Sequence, residues 1–252
     1  MSEEAQLKKR FLELAERAYT NYQYQFTGFL NLMETSLFLQ SAREFPHVPY
    51  TLYGGMENCE RQMARLGSET MMGYEEPFPI CCIKAEPNQQ KFADNLNHRD
   101  VLGALMSLGV ERSTIGDIIL CDNVAYIFCT DKMAGFLVSE LSQIRHTPVR
   151  CQIVEELPAS AVLRKMENVR VQVASVRLDA LISKVYNLSR GDSLELFRLK
   201  RVFVDGKLCE NNSYSVKENE VISVRGFGKF RYLAQDGVSK KGKLNVTVEK
   251  YV

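Results

Sequence analysis

Cysteine and histidine are the residue types that most often hold a zinc ion, and together they can also act as nucleophile and base. The cysteines are odd in number and form no C-x-x-C pair, a pattern typical of reduced intracellular thiols; they are Cys59, Cys81, Cys82, Cys121, Cys129, Cys151 and Cys209. The three histidines, His47, His98 and His146, lie far apart in the sequence. A zinc site needs four ligands, usually closely spaced in pairs, so we expect no metal centre and no cofactor.

Arg177-Leu178-Asp179 is a second pattern with chemical potential. In pseudouridine synthases an Arg-Leu-Asp motif carries the catalytic aspartate and continues as Thr-Ser-Gly. Here the motif continues as Ala180-Leu181-Ile182, which favours the first turns of a helix. We therefore interpret Asp179 as a first-turn acid that suits the helix dipole, or as the partner of an arginine, rather than as a nucleophile.

His98-Arg99-Asp100 imitates the catalytic loop of protein kinases. A kinase would have asparagine five residues after the aspartate, whereas position 105 is leucine, and no Asp-Phe-Gly follows. Walker, G-x-G-x-x-G and G-x-S-x-G sequences are also missing. We predict a helix start here, capped by Asn97 or Asp100, and a chain that is not an enzyme. The alternative is an RNA-modifying enzyme with its catalytic centre in residues 1–158.

The basic residues are distributed unevenly along the chain. Lysine and arginine total 32 and aspartate and glutamate 31, so the formal net charge is only +1. Counted by segment, however, the net charge is −4 for residues 1–77, −3 for residues 78–158 and +8 for residues 159–252. Such an asymmetry is typical of a chain in which one module meets nucleic acid. A solvated basic face without a partner would give the same count.

These three segments are also the expected domains. Residues 1–77 are predicted to form a mainly helical N-terminal domain, because residues 3–22 repeat apolar side chains every three or four positions and residues 29–43 and 56–66 also have helical patterns. No apolar run is long enough to span a membrane, and the acidic N-terminus does not resemble a secretory signal, so we expect a cytoplasmic protein.

Residues 78–158 alternate short apolar runs with helical patterns. The expected order is strand, helix, strand, strand, helix, strand, over residues 78–84, 100–108, 115–120, 124–129, 133–144 and 149–154. That is the order of a ferredoxin-like sandwich, which RNA-recognition modules of the RRM type share. Those modules stack bases on strand aromatics, and Tyr126 and Phe128 are the candidates here. A ferredoxin-like domain is therefore expected, but this fold alone carries little functional weight because the aromatic-rich strand of those modules is missing.

Residues 159–252 combine two short helices with a sheet. A helix is predicted over residues 178–185, and Ser189-x-x-Asp192 has the form of a capping box that starts a second helix. A strand then runs into an Asp205-Gly206 hairpin turn, and further strands are predicted over residues 169–173, 221–225, 229–233 and 244–248. The whole chain is thus expected to be α+β.

Several spaced motifs of this last segment resemble a known RNA-binding domain, the one named after ribosomal small-subunit protein four and also called the alpha-L motif. They are Arg177-Leu178-Asp179, Leu181-Ile182, Ser189-Arg190, the stretch from Val202 to Lys207 and the stretch from Glu220 to Val224. The resemblance covers roughly residues 175–235 and implies a helix pair followed by a small sheet that binds structured RNA.

The remaining motifs resemble the YlmH family of bacterial RNA-binding proteins over nearly the whole chain. They are Gly54-Gly55-x-x-x-x-Glu60-Arg61, the stretch from His98 to Asp117 with Gly103, Leu108-Gly109, Arg112 and Gly116, and Ser223 to Phe230. The resemblance implies that the central ferredoxin-like domain binds RNA. It also implies binding to ribosomal RNA or tRNA, at the large ribosomal subunit, during rescue of stalled translation. A link to cell division has also been suggested for the family, which leaves a protein–protein adaptor as a further alternative.

Arginine and lysine near these motifs are the expected phosphate contacts, because arginine binds phosphate through two parallel hydrogen bonds and lysine as a point charge. The predicted RNA-binding residues are Arg177, Lys184, Ser189, Arg190, Arg198, Lys200, Arg201, Lys207, Arg225, Lys229 and Arg231, with His98, Arg99 and Arg112 as secondary candidates. Compared with the alpha-L pattern, this chain has Lys200 where relatives usually have glycine, Asp192 for a basic residue, Ser193 for alanine and Asp205 for asparagine.

Overall fold

The computed structural model describes residues 3–57, 59–158, 166–239 and 242–251, and its mixture of helices and sheets confirms the α+β class. It divides into two compact units, residues 1–163 and 164–252. The predicted domain limit at 158/159 adjoins residues 159–165, which lie outside the described residues, and the limit at 77/78 remains a prediction. No helix within the described ranges is both long and apolar enough to cross a membrane.

The N-terminal part of the first unit contains a sheet in addition to helices. Its elements are α1 (Glu3–Asn21), β1 (Gln25–Leu30), α2 (Leu32–Ser41), β2 (Tyr50–Tyr53), β3 (Gln62–Leu66) and the short α3 (Glu69–Met72). The three strands are antiparallel in the order β1-β3-β2. The helix expected over residues 3–22 is confirmed, whereas the description of residues 1–77 as mainly helical missed this sheet.

The helix expected over residues 56–66 is wrong for a physical reason. Residues 62–66 form the central strand β3, in which the neighbours Met63 and Ala64 are both buried. Ala64 packs in the core beneath α1 and α2, while Met63 packs in a different cluster on the other side of the sheet. Because both faces of the strand are covered, its sequence lacks the alternation that would reveal a strand.

The central part of the first unit follows the predicted element order. Its elements are β4 (Ile80–Pro87), α4 (His98–Ser107), β5 (Ile115–Cys121), β6 (Val124–Thr130), α5 (Asp131–Glu140), β7 (Gln143–Ile144) and β8 (Thr147–Val154). The strands are antiparallel neighbours in the order β5-β6-β4-β8-β7. The helix expected over 133–144 ends at residue 140, because Gln143 and Ile144 form the short strand β7 instead. The chain reverses direction at Arg145 (φ 54°), and β7 pairs with β8.

The two faces of this central sheet are covered differently. Helices α4 and α5 pack on one face, where Ile83, Ile127, Leu105 and Leu137 share one core cluster. The opposite face contributes Cys82, Ile119, Tyr126 and Phe128 to a cluster that also contains Phe29 and Met63 from the N-terminal sheet. The central sheet is therefore enclosed on both faces within the first unit.

The second unit is a six-stranded antiparallel sheet with two helices on one face. Its elements are β9 (Met166–Val173), α6 (Leu178–Val185), α7 (Arg190–Arg198), β10 (Val202–Val204), β11 (Lys207–Leu208), β12 (Val221–Val224), β13 (Gly228–Val238) and β14 (Leu244–Tyr251). The strand order is β11-β10-β12-β13-β14-β9. Leu181 and Phe197 from the helices share one core with Ile222, Phe230 and Val246 from the strands. The predicted helix over 178–185 and the Asp205-Gly206 hairpin are confirmed.

Candidate RNA interface

Four cations gather where α7 ends and β10 begins. The helix closes with a Schellman motif, in which the backbone N–H of Lys200 donates to the Phe197 carbonyl (3.0 Å) and that of Arg201 donates to the Leu196 carbonyl (2.9 Å). Lys200 occupies the left-handed position at φ 55°, which explains why glycine is usual there. The motif leaves the side chains of Arg198, Lys200 and Arg201 exposed at one helix end.

The fourth cation of this cluster, Arg225, comes from the turn between β12 and β13. Its backbone N–H donates to the carbonyl oxygen of Arg201 (2.9 Å), next to the paired residues Val202 and Val224. Its guanidinium lies over the ring of Phe203, with Cζ 4.7 Å from the ring centroid. We call Arg198, Lys200, Arg201 and Arg225 the helix-end cluster. Two of them have acidic neighbours, Glu195 at 3.4 Å from Arg198 and Glu210 at 3.1 Å from Lys200, both exposed pairs that contribute little.

The turn between α6 and α7 carries the next group of predicted contacts. Ser189 is the N-cap of α7, and its hydroxyl accepts from the backbone N–H of Asp192 (3.1 Å), as the capping-box pattern predicts. Lys184 and Arg190 flank this turn and are exposed. Arg190 and Arg198 stand at opposite ends of α7, roughly 12 Å apart along the axis at 1.5 Å per residue, so they would contact different phosphates.

Lys229 and Arg231 lie on β13 with side chains on the face opposite the helices, because Phe230 between them points into the core. Arg231 donates through Nη2 to the Tyr251 hydroxyl (3.0 Å) and lies 3.8 Å from Glu249. Lys229 and Arg231 thus continue the row of cations from the Arg225 turn along the sheet, away from the helix-end cluster.

Two predicted contacts stand apart from these groups. Arg177 precedes α6 and donates from Nε and Nη2 to the two carboxylate oxygens of Asp179, at 3.1 and 2.8 Å. The interpretation of Asp179 as an arginine partner is thus confirmed, and its carbonyl also accepts from the Ser193 hydroxyl of α7 (2.9 Å). Lys207 pairs with Val204, about 10 Å along β10 from Arg201 at 3.3 Å per residue.

The secondary candidates occupy different environments in the central part. His98 and Arg99 are exposed at the first turn of α4, whose N-cap Asn97 forms a capping box with Asp100. Arg112 is half-buried and donates to the carbonyls of Ile115 (2.8 Å) and Gly116 (3.4 Å). Burial lowers the pKa of the Arg112 guanidinium. Its donors face the backbone of its own unit, which favours a structural role.

The base-stacking surface of an RRM is closed in this chain. Tyr126 and Phe128, the two aromatic candidates on β6, are only 7% and 2% exposed because the N-terminal part covers that face of the sheet. Any RNA contact of the central part must therefore use its edges, loops or helices. The sequence could not reveal this, because the covering residues lie some 60 to 100 positions away.

Several family-motif residues outside the second unit meet at the junction between the N-terminal and central sheets. Asp117 accepts from the backbone N–H groups of Glu60 and Arg61, both at 2.9 Å. The buried Arg61 donates to the carbonyls of Phe29 (2.8 Å), Ile115 (2.9 Å) and Arg112 (2.9 Å). Burial, and next the nearby Arg112, lower the pKa of Arg61 to about 10, so it keeps its charge at neutral pH.

Glycine is required at this junction by close approach. A Cβ on Gly116 would lie 2.7 Å from the ring of Phe29 and 2.9 Å from the Cβ of Phe128. Gly55 has a positive φ of 103°, and a side chain there would collide with the Phe128 ring. These motif residues therefore hold the two sheets together, a structural role that their spacing alone did not predict.

Three of the seven cysteines, Cys59, Cys82 and Cys129, are buried core residues, and the other four are partly buried. Burial raises the pKa of the Cys82 and Cys129 thiols to about 12 and that of Cys151 to about 11, so few thiolates form there at neutral pH. Across the described parts of the chain, no group of three or more histidine, cysteine, aspartate or glutamate side chains is arranged to hold a metal ion.

Comparison with known proteins first defines a class for the central part. Residues 75–157 match the family described as "Putative RNA-binding domain in YlmH". Over 242 residues, which are 95% of this chain and 92% of the relative, the sequence is 28% identical to the "Ribosome-associated protein quality control protein P2" of Bacillus subtilis (strain 168). These two matches confirm the resemblance to the YlmH family.

A solved structure is also similar to part of the chain. The "Cell division protein ylmH from Streptococcus pneumoniae" shares 20% sequence identity and gives a TM-score of 0.49, over 61% of this chain and 92% of that one.

Proposed function

We propose that this chain is a non-enzymatic, cytoplasmic RNA-binding protein that acts at the ribosome. Its ligand would be ribosomal RNA or tRNA at the large subunit, and its role would lie in translation quality control or the rescue of stalled ribosomes. The match to an RNA-binding family and the 28% identity to a ribosome-associated quality control protein support this proposal. In it, the central part is a ferredoxin-like domain and the second unit an alpha-L module.

The helix-end cluster is the observation that carries the proposal. Three exposed cations follow one another at the end of α7, and the Arg201–Arg225 hydrogen bond adds a fourth from a different part of the sequence. Such a group is suited to neighbouring phosphates of folded RNA, because phosphate contacts fix position without reading bases. Recognition would then depend on the shape of a structured RNA rather than on its sequence.

A binding titration at several salt concentrations tests the proposal. If about five phosphates are neutralised, the slope of log affinity against log salt is expected to lie between about −3 and −4.5. The probes are purified large ribosomal subunits, small subunits and tRNA. A flat salt dependence for all three would contradict the proposal. A preference for the small subunit would contradict the assignment to the large subunit.

A charge-reversal variant links this binding to the predicted residues. Changing Arg190, Arg198 and Arg201 to glutamate should abolish RNA binding while the fold persists, because all three are exposed. The matched control changes Lys9, Arg10 and Arg17 on α1, which are also exposed and alter the net charge equally. Equal loss in both variants would show a net-charge effect and contradict the assignment to the second unit.

A further inference from the structure

The second unit has a sheet face that neither of its two helices covers. In this antiparallel sheet, residues paired across strands share a face. The core residues Val202, Ile222, Phe230, Val248 and Val171 all point toward α6 and α7. Their neighbours in sequence therefore point the other way, and these include Phe203, Ser223, Lys229, Arg231 and Arg170. Tyr251, three residues after Val248 on the same strand, shares their orientation because side chains alternate along a strand.

This outer face carries more positive than negative side chains. Lys229 and Arg231 come from β13, Arg170 from β9, and Arg225 enters from the turn at the sheet end. Two acids are close to them. Glu249 lies 3.8 Å from Arg231, and Asp236 accepts a hydrogen bond from the Thr247 hydroxyl.

Aromatic and polar groups stand between these cations. Tyr251 at the end of β14 accepts a hydrogen bond from Arg231, and Phe203 lies beneath the guanidinium of Arg225. Beyond them, Gln172 donates through its amide to Asn245 across the β9–β14 pair (3.0 Å). Aromatic rings among cations and amides are the combination on which single-stranded nucleic acids bind, with bases on the rings and phosphates on the cations.

We propose that this outer face binds an unpaired segment of RNA that extends from a structured element held by the helix-end cluster. The inference rests on the proposed function and adds a second surface to it. Arg225 belongs to the helix-end cluster and also lies over Phe203, so one RNA strand can pass from the cluster around the sheet end to Lys229 and Arg231. β9 and β14 both lie outside the roughly 60 residues that resemble the alpha-L motif, and they widen the face beyond it.

An RNA duplex fits this face less well than an unpaired strand. Bases within a duplex are stacked on each other and cannot lie on protein rings, whereas unpaired bases can. The carboxylates of an acidic protein partner would match the cations. They would give no role in binding to the Tyr251 ring or to the Gln172 and Asn245 amides that lie among those cations. The charge and the rings together therefore favour unpaired RNA.

The test uses the full chain and two RNA probes, a hairpin of about 12 base pairs and the same hairpin with an unpaired oligouridine extension of about eight nucleotides. The extension should tighten binding by about tenfold, the effect of roughly one stacked base with a phosphate contact. Arg170→Glu and Tyr251→Ala should each remove most of this gain and leave affinity for the plain hairpin unchanged, which also shows that the variants fold.

Matched control variants distinguish a specific loss of binding at the outer face from general effects of charge or ring removal. Tyr251→Phe retains the ring and should retain the gain, while Arg17→Glu and Tyr19→Ala on α1 repeat the same changes at exposed positions of the first unit and should alter nothing. Equal affinity of the wild-type chain for both probes would overturn this inference and leave the proposed function standing. Failure to bind either the probes or ribosomal RNA would overturn the proposed function itself.

The partner class is checked on the ribosome. A photoreactive amino acid at position 170 of the full chain, bound to large subunits, should crosslink to RNA. Crosslinking to protein alone would assign the face to a protein partner and overturn the proposal.

Discussion

The backbone N–H of Arg225 donates to the carbonyl oxygen of Arg201 at 2.9 Å, and this hydrogen bond fixes the β12–β13 turn against the end of α7. The two arginines are 24 positions apart in sequence but enter the same group of cations. Both are exposed, and Arg225 is also held over the Phe203 ring. The bond therefore makes one surface from two motifs that the sequence presents separately.

The first prediction is that Arg201 and Arg225 act together in RNA binding. Each change to alanine should weaken binding and reduce the salt slope by about one, as expected for a lost phosphate contact. Because the residues are neighbours, the double variant should depart from additivity by about 0.5 kcal/mol or more. The measurement is a double-mutant cycle of dissociation constants at two salt concentrations.

A second cycle provides the control for this prediction. Lys207 pairs with Val204 at the other end of β10 from Arg201. The losses of binding free energy caused by alanine at positions 201 and 207 should therefore add to within about 0.5 kcal/mol. If the 201/225 cycle were as additive as the 201/207 cycle, the two arginines would not form one binding group.

The elements of the second unit could be predicted because their signals are local. Ser189 caps α7 as its spacing indicates, and Asp205-Gly206 forms a hairpin turn with both residues at positive φ. Three members of the helix-end cluster, Arg198, Lys200 and Arg201, could be predicted as a group because they are close together in the sequence. The position of Arg225 beside them depends on strand pairing, which local patterns do not encode.

The first unit shows where prediction from local pattern stops. Met63 and Ala64 face two different cores, so β3 has no alternation to detect. The burial of Tyr126 and Phe128 depends on a second sheet that is distant in sequence. Likewise, the roles of Arg61 and Asp117 follow from a contact across 56 positions. Each failure involves long-range packing that overrides or hides the local signal.

The second prediction concerns Lys200, whose φ of 55° places a non-glycine residue in the left-handed region. Lys200→Gly should stabilise the protein by about 1 kcal/mol, because glycine adopts this conformation without the steric penalty of a Cβ. The same change should weaken RNA binding a few-fold, because it removes a cation from the helix-end cluster. Thermal unfolding and RNA titration measure the two effects separately.

Two further variants at this position distinguish backbone from charge. Lys200→Arg keeps the charge and should change neither quantity appreciably, whereas Lys200→Asn removes the charge but tolerates positive φ. Loss of the exposed ion pair with Glu210 has little effect on stability. Unchanged RNA affinity in both the glycine and asparagine variants would remove Lys200 from the interface.

The third prediction concerns the junction within the first unit. Arg61→Met retains much of the side-chain volume but removes the hydrogen bonds that the guanidinium donates to the carbonyls of Phe29, Ile115 and Arg112. A hydrogen bond donated by a charged group typically contributes about 1.5–3 kcal/mol, so a loss of at least this size is expected. Chemical denaturation followed by circular dichroism should show this loss, while RNA binding by the second unit persists where the chain is folded.

The control for Arg61 is Arg43→Met at an exposed position of the same unit. Its effect should stay within about 0.5 kcal/mol, as is usual for surface substitutions. Similar small effects in both variants would show that Arg61 does not hold the two sheets together.

The fourth prediction is a pH-dependent effect at Asp205, where relatives usually have asparagine. The Asp205 carboxylate accepts from the backbone N–H of Val221 (2.9 Å) at φ 46° in the hairpin turn. Burial, and to a smaller extent Glu220, raise the pKa of this carboxyl. The folded protein therefore binds the proton more readily than the unfolded chain, so stability falls as pH rises from the unfolded-state pKa of about 3.9 through the raised folded value.

Asp205→Asn should remove this destabilisation and keep the hydrogen bond to Val221, because the amide oxygen also accepts. We expect the Tm to rise by about 1–2 °C at pH 7 and the gain to shrink as the pH is lowered toward 4, where the aspartate becomes protonated. Glu218→Gln, at an exposed position of the same unit, is the control for loss of one negative charge. A gain at position 205 that stays constant across this pH range would mean that it comes from turn geometry rather than from ionisation of the carboxyl.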